Sequence, residues 1–117
     1  MALIFYLKQY DKQPYYNVKL LDSDGKRVAL GDATILCTMK NIITNELKIN
    51  RRNLGIIIAD QSLAKGEFQL RWQDGDTDTV GEYDIEFEIS PATEGKFTIP
   101  NGDDEAKVII TAGLDTE

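Results

Sequence analysis

The sequence predicts an all-β fold, an antiparallel β-sandwich of about seven to nine short strands. Two observations carry this. In Glu82-Tyr83-Asp84-Ile85-Glu86-Phe87-Glu88-Ile89 acidic and apolar residues alternate strictly, the period of a strand with one buried and one wet face. Along the rest of the chain, short apolar runs are separated by Gly, Pro, Asn and Asp, with no stretch of convincing helical period. Such a pattern favours two packed sheets over alternating strands and helices.

The elements follow in order. Residues 3–8 are apolar and aromatic and form a first strand, or an arm laid on a neighbour. Residues 15–21 (Y-Y-N-V-K-L-L) make a strand, with Pro14 at a permitted position before it. Asp22-Ser23-Asp24-Gly25 is a turn, because Asp carboxylates cap nearby amides and glycine accepts positive φ. A short strand is expected over 26–30 and a good one over 33–40. In 41–52 the segment 44–49 reads as strand or loop. Residues 54–59 (L-G-I-I-I-A) read as a fully buried strand. Residues 60–66 connect, with a mildly helical turn stopped by Gly66. The strongest strands are 67–73 and 81–89. Residues 96–99 are short and stop at Pro100. Asn101-Gly102 is a hairpin-type turn leading into a last strand over 106–111. Residues 113–117 read as a frayed tail. With no repeat and no linker, residues 1–117 read as a single domain.

Composition removes several function classes. A 117-residue chain that is 42% apolar can bury a core without metal or disulfides. Its one cysteine, Cys37, forms no internal disulfide and suits a reducing cytosol. Histidine is absent, and with it the commonest general base, metal ligand and pH switch. No apolar run reaches the ~20 residues of a membrane helix, and the opening residues do not fit a signal peptide. A net charge of −7 argues against nucleic-acid binding. The charge is uneven: residues 1–73 hold 11 basic against 7 acidic residues (+4), and residues 74–117 hold 2 against 13 (−11). If these segments form two poles, copies could meet head to tail in a homo-oligomer or ring. If they interleave, the acids are merely a solvated face and tail.

Each candidate for chemistry has a structural counterpart. Asp74, Asp76 and Asp78 in D-G-D-T-D are weak calcium candidates. Counted from Asp74, the positions needing Gly and Glu in an EF-hand loop hold Thr79 and Ile85, so that motif fails. The other reading is that these side chains satisfy backbone amides. Gly81-Glu82-Tyr83 opens a strand as a tyrosine corner does, with the hydroxyl bonded back to upstream backbone. Cys37 shares a face with Ile35 and Met39 and reads as a small buried hydrophobe. Trp72 shares a face with Phe68 and Leu70, which favours the core over a sugar-stacking platform. Glu82, Asp84, Glu86 and Glu88 could supply a glycosidase pair, but four acids at period 2 fit the wet side of a strand, which blocks stray pairing if it lies at an edge. Lys48, Arg51 and Arg52 form the one basic cluster, either a docking surface for an acidic neighbour or a solvated loop. Phe5, Tyr6, Tyr10, Tyr15 and Tyr16 are interface candidates, since aromatics concentrate in interface cores; an N-terminal strand folded onto the sandwich would use them equally well. No catalytic residue and no cofactor is expected.

The order of motifs resembles a family. F-Y-L-K-Q-Y-D-K-Q-P-Y-Y-N-V-K-L-L-D-S-D-G-K-R-V-A-L-G-D-A-T-I-L-C-T-M-K, then G-E-F-Q-L-R-W-Q-D-G-D-T-D-T-V-G-E-Y-D-I-E-F-E-I, then G-K-F-T-I-P, is similar to the immunoglobulin-like N-terminal domain of tailed-bacteriophage baseplate upper proteins. That family has a K-Q-x-D-x-x-P opening, a D-x-D-G turn, an A-T-V-x-F-x-M strand, a Y-x-W-x-x-x-D-T-x-x-x-G-x-Y block and a closing x-T-x-P. The match runs from about Phe5 to Pro100. It departs where Phe68-Gln69-Leu70 replaces the Tyr before the Trp, and in 41–58, which has no counterpart. The resemblance implies an immunoglobulin-like sandwich and a non-enzymatic virion structural protein. Its partners would be other phage structural proteins, at the baseplate, tail, neck or capsid surface, after assembly in the host bacterial cytoplasm. The chain is then expected to be a free-standing virion component. The alternative is a carbohydrate- or host-surface-binding module.

Overall fold

A computed structural model of the chain describes residues 2–21, 24–92, 95–100 and 105–113. Among these lie nine strands and no helix: β1 (Ala2–Lys8), β2 (Tyr16–Lys19), β3 (Thr34–Asn41), β4 (Leu47–Arg52), β5 (Ile56–Ile58), β6 (Glu67–Leu70), β7 (Gly81–Ser90), β8 (Phe97–Ile99) and β9 (Glu105–Thr111). The larger sheet runs β1-β9-β7-β3-β4, and β8 joins it on β7. The smaller sheet is β2-β6-β5. The chain changes sheet after β1, β2, β4 and β6, so strands neighbouring in sequence are mostly apart in space. This is the division of strands of an immunoglobulin-like sandwich, β2, β5 and β6 facing β3, β7 and β9. One pairing departs from the antiparallel expectation: β1 runs parallel to β9, from Ala2↔Glu105 to Lys8↔Thr111.

Alternation places the core. Ile35, Cys37 and Met39 of β3 point inward, as do Tyr83, Ile85, Phe87 and Ile89 of β7 and Val108 and Ile110 of β9. Phe68 and Leu70 of β6, with Trp72 just beyond, oppose them. Phe68 meets Phe87 edge-on at 5.1 Å between ring centroids, and Tyr16 lies 5.7 Å from Phe87. Each such large apolar side chain contributes roughly 1.5–3 kcal/mol by leaving water, so the aliphatic and aromatic interior holds the sheets together without a disulfide.

Two expected elements are corrected. Residues 26–30 form no strand: apart from an isolated bridge between Leu21 and Arg27, the segment is tied by Val28 N–H to Leu20 O at 3.0 Å. It crosses the end of the sandwich, where Arg27 donates to Lys65 O at 2.9 Å and Glu67 at 2.8 Å, and Leu30 plugs the core. Residues 54–59 are not a fully buried strand. Only Ile56–Ile58 pair, at the edge of the three-stranded sheet, and Ile57 is 45% exposed. A run of apolar residues has no period, and so carries no information on which faces are covered.

The acidic strand is not an edge. β7 lies between β3 and the β8/β9 pair, so its carboxylates guard no open ladder and instead line the outer face. Residues 60–66 form a turn capped by Asp60, whose carboxylate accepts from Ser62 N–H at 2.9 Å and Ser62 O–H at 2.7 Å. Gly66 closes it at φ 81°, where an added Cβ would meet Leu20 O at 2.9 Å, so the backbone needs glycine twice over. Asp22 and Ser23 of the first expected turn, Asn101-Gly102 and the tail from 114 lie outside the described residues.

Candidate functional site

The D-G-D-T-D loop between β6 and β7 is densely tied by side-chain bonds and is assembled from four parts of the chain. Asp76 is buried. Its Oδ2 accepts Gln73 N–H at 2.7 Å, and Asp76 N–H returns a bond to Gln73 O at 3.1 Å. Arg52 at the end of β4 donates from both terminal nitrogens, to Oδ1 at 2.8 Å and Oδ2 at 2.7 Å. Two parallel charge-assisted bonds to one carboxylate make the strongest ion-pair geometry available to arginine. The hydrogen bond to Asp76 raises the Arg52 pKa further above its ordinary value, against the opposing effect of burial. β4 reaches this point through two register shifts against β3, with Arg51 in the left-handed region at φ 45°. The bulge re-aims consecutive side chains: Arg52 turns to Asp76, while Arg51 pairs outward with Glu88 at 3.0 Å.

The neighbouring acids take other partners. Lys48 bonds Asp78 and lies 3.1 Å from Thr79 Oγ1. That lysine first, and the Thr79 hydroxyl second, hold the Asp78 carboxyl below the usual carboxylate range. Lys12 bonds Asp74 and lowers its pKa likewise. Backbone ties complete the loop. Thr77 O–H donates to Asp11 O at 2.9 Å, Tyr10 N–H to Thr77 O at 2.9 Å, and Gln9 Nε2 to Asp78 O at 2.8 Å. Tyr83 O–H donates to Thr79 O at 2.8 Å from a ring that is almost wholly buried. This is the tyrosine corner predicted at Gly81-Glu82-Tyr83. A Cβ at Gly81 would come within 3.0 Å of the Asn41 amide, so the strand's first residue is held to a small side chain.

The three aspartates therefore diverge. Each faces its own cation, two of them from β4 and one from the segment after β1, and among the described residues no group of three or more His, Cys, Asp or Glu could hold a metal ion. A calcium ion here would have to displace three lysine or arginine contacts. Lys48, Arg51 and Arg52 are likewise engaged within the chain, so they present no open basic patch.

The aromatic candidates divide into two groups. Phe5 and Tyr16 pack at 5.0 Å, and Trp72 stands 6.2 Å from Phe5 and 6.3 Å from Tyr16. Trp72 is 3% exposed, and its indole N–H donates to Pro14 O at 3.0 Å. It offers no flat face to a sugar ring. Tyr15 lies under the Arg71 guanidinium at 5.1 Å, a cation–π contact near the surface. Tyr6 and Tyr10 are exposed. Cys37 is fully buried, and burial pushes its thiol up to about 12. A thiol held protonated is a poor nucleophile.

The sequence reading singled out none of Ile43, Leu54 and Leu63, which stand exposed at loop tips. The available signal was their setting, apolar residues between turn formers, as in Asn41-Ile42-Ile43-Thr44-Asn45 and Asn53-Leu54-Gly55. A hollow of 360 Å³ between β2 and the β8 end is lined by Tyr16, Val18, Leu20, Phe87, Ile99 and Ala106, among others. Its wall is mostly apolar and brings no acid and base together. None of the described residues forms a helix long and apolar enough to cross a membrane. No family model matches the chain, and no curated protein matches it significantly.

Proposed function

We propose that this chain is a non-enzymatic structural component of a tailed-bacteriophage particle, at the baseplate, tail, neck or capsid surface. It works through protein–protein contacts in the assembled virion. The observation that carries the reading is the use made of the D-G-D-T-D loop. Its acids, the residues most suggestive of chemistry, are each neutralised by a cation from another element. The loop thus locks β4, the segment after β1 and the start of β7 into one body. Rigidity of that kind suits a part that must present fixed surfaces to fixed neighbours. The motif order from Phe5 to Pro100 supplies the phage assignment. The buried indole of Trp72 weighs against the carbohydrate-binding alternative, which relied on it together with neighbouring tyrosines.

The test is the composition of particles. Virions purified from a strain carrying the gene should contain the chain in stoichiometric, many-copy amounts by quantitative mass spectrometry. Its absence from particles that are otherwise complete would overturn the reading. So would clear turnover in a broad screen of ester, phosphate and glycoside substrates.

A further inference from the structure

The strand edges of this sandwich are not equally protected. β2 has four residues and β5 three, too short to template much pairing. β4 carries two register shifts and three cations, Lys48, Arg51 and Arg52. Short length, bulges and basic residues are the usual devices that blunt an edge. β1 has none of them. All seven of its residues pair with β9 without a shift. Its other edge meets no described strand. It contains no proline, and its one charge is Lys8, at the end. On its outer face Ile4 is 48% and Tyr6 64% exposed, beside the half-buried Ile109.

The geometry points to a second copy of this chain as the occupant of that edge: we infer that two β1 strands pair antiparallel about a two-fold axis at Phe5, joining the two larger sheets into one. This rests on the assembly reading above and names one contact within it. The strand is self-complementary in that register. Phe5 falls opposite itself, and each exposed Ile4 falls opposite the partner copy's exposed Tyr6. Aromatic against β-branched is among the favourable cross-strand pairs, and the two-fold axis makes it twice. Lys8 falls opposite Ala2, so no like charges meet. A net charge of −7 on each copy opposes this contact little. The adjoining strand β9 holds one acid and one base, Glu105 and Lys107, and the strongly acidic strand, β7, is third from the edge. Its counterpart in the other copy would lie five strand spacings away, about 24 Å, some three Debye lengths at physiological salt. An isologous contact of this type closes on itself, and leaves every other surface free for different neighbours.

Sedimentation equilibrium of the purified full chain tests the inference. A concentration-dependent monomer–dimer equilibrium is expected, no weaker at high salt than at low. Tyr6→Lys should raise the dimer dissociation constant roughly tenfold or more, from two lost cross-strand pairs and two added charges. Its far-ultraviolet circular dichroism and Trp72 fluorescence should not change, since Tyr6 is exposed. The register is read by thiol trapping in oxidised glutathione. The double variant Ile4→Cys/Tyr6→Cys should give a covalent dimer on a non-reducing gel, and either single variant should not. Buried Cys37 does not compete. A protein monomeric at every concentration overturns the inference, as does an oligomer that salt dissolves, or a dimer indifferent to Tyr6→Lys. Trapping by a single variant overturns the register. Presence of a strictly monomeric chain in particles would remove this contact and leave the virion reading standing. A dimer absent from particles would do the reverse.

Discussion

The Arg52–Asp76 pair is the most testable part of the loop, because its two ends differ in burial. The Asp76 side chain is 3% exposed and that of Arg52 25%. In Arg52→Met the carboxylate keeps only the Gln73 amide as donor and loses both guanidinium bonds. Removing one partner of a buried pair costs about 3–5 kcal/mol. Arg52 keeps some contact with water, so the lower end applies, about 3 kcal/mol. Asp76→Asn is milder: its amide oxygen still accepts from Gln73, and the released arginine can swing into solvent, a loss of about 1.5 kcal/mol. The double variant should lose less than the sum of the two, since each single change removes the same pair. The assay is urea unfolding at neutral pH, followed by the fluorescence of Trp72, the chain's one tryptophan, which is buried beside the loop. With a slope near ~1.5 kcal/mol/M, Arg52→Met should lower the midpoint by about 2 M. A loss below about 1 kcal/mol would place the pair with ordinary surface ion pairs. The claim that it locks the loop would then fail.

Four other outcomes are expected. Tyr83→Phe should cost about 1–2 kcal/mol in the same titration, because Thr79 O loses its donor inside the fold; a neutral result would mean that water reaches that carbonyl. Acrylamide should quench Trp72 weakly in the folded protein and strongly in urea, whereas strong quenching in the native state would restore the exposed-platform reading. The Cys37 thiol, with its pKa pushed up to about 12, should resist a thiol reagent at pH 8 and react only as the protein opens; rapid native-state labelling would contradict the packing of β3. Stability should also respond to acid. Lys48 and Lys12 hold Asp78 and Asp74 below the ordinary carboxylate pKa, so unfolding takes up protons there. Their contribution is therefore full above about pH 4, the unfolded carboxylate value, and is lost as pH falls through the lower folded values. Lys48→Met should make that acid limb shallower, and an unchanged limb would show that Asp78 contributes nothing.

What was legible in the sequence is what depends on local period. The alternation of Glu82 to Ile89 fixed which side chains of β7 are buried. The spacing of Phe68, Leu70 and Trp72 put the indole inside, and Gly81-Glu82-Tyr83 announced the corner before its acceptor was known. What was not legible depends on partners distant in sequence. Nothing in residues 2–8 says that they run parallel to 105–111. The triple isoleucine of β5 looks the same in a central strand and at an edge. The alternating acids of β7 suit an edge as well as a centre, until β3 and β9 are seen on either side. Arg52 finds Asp76 only because a bulge in β4 turns it away from its neighbour, and bulges leave no mark in the hydropathy pattern.

Charge shows the same dependence on long-range placement, and it bears on how copies would meet. The excess of base before residue 74 and of acid after it suggested two poles. The fold interleaves them. Lys12 with Asp74, Lys48 with Asp78, Arg51 with Glu88 and Arg52 with Asp76 each join the basic segment to the acidic one. The asymmetry is thus partly neutralised within one molecule, at contacts that hold the 74–79 loop and the outer face of β7. The two segments therefore do not form separate poles at these contacts, which removes the argument from charge for a head-to-tail meeting of copies. An attraction between copies then has to come from groups that charge does not oppose. The unguarded edge of β1, with Ile4 and Tyr6 two strands from the acidic β7, is where the fold offers them.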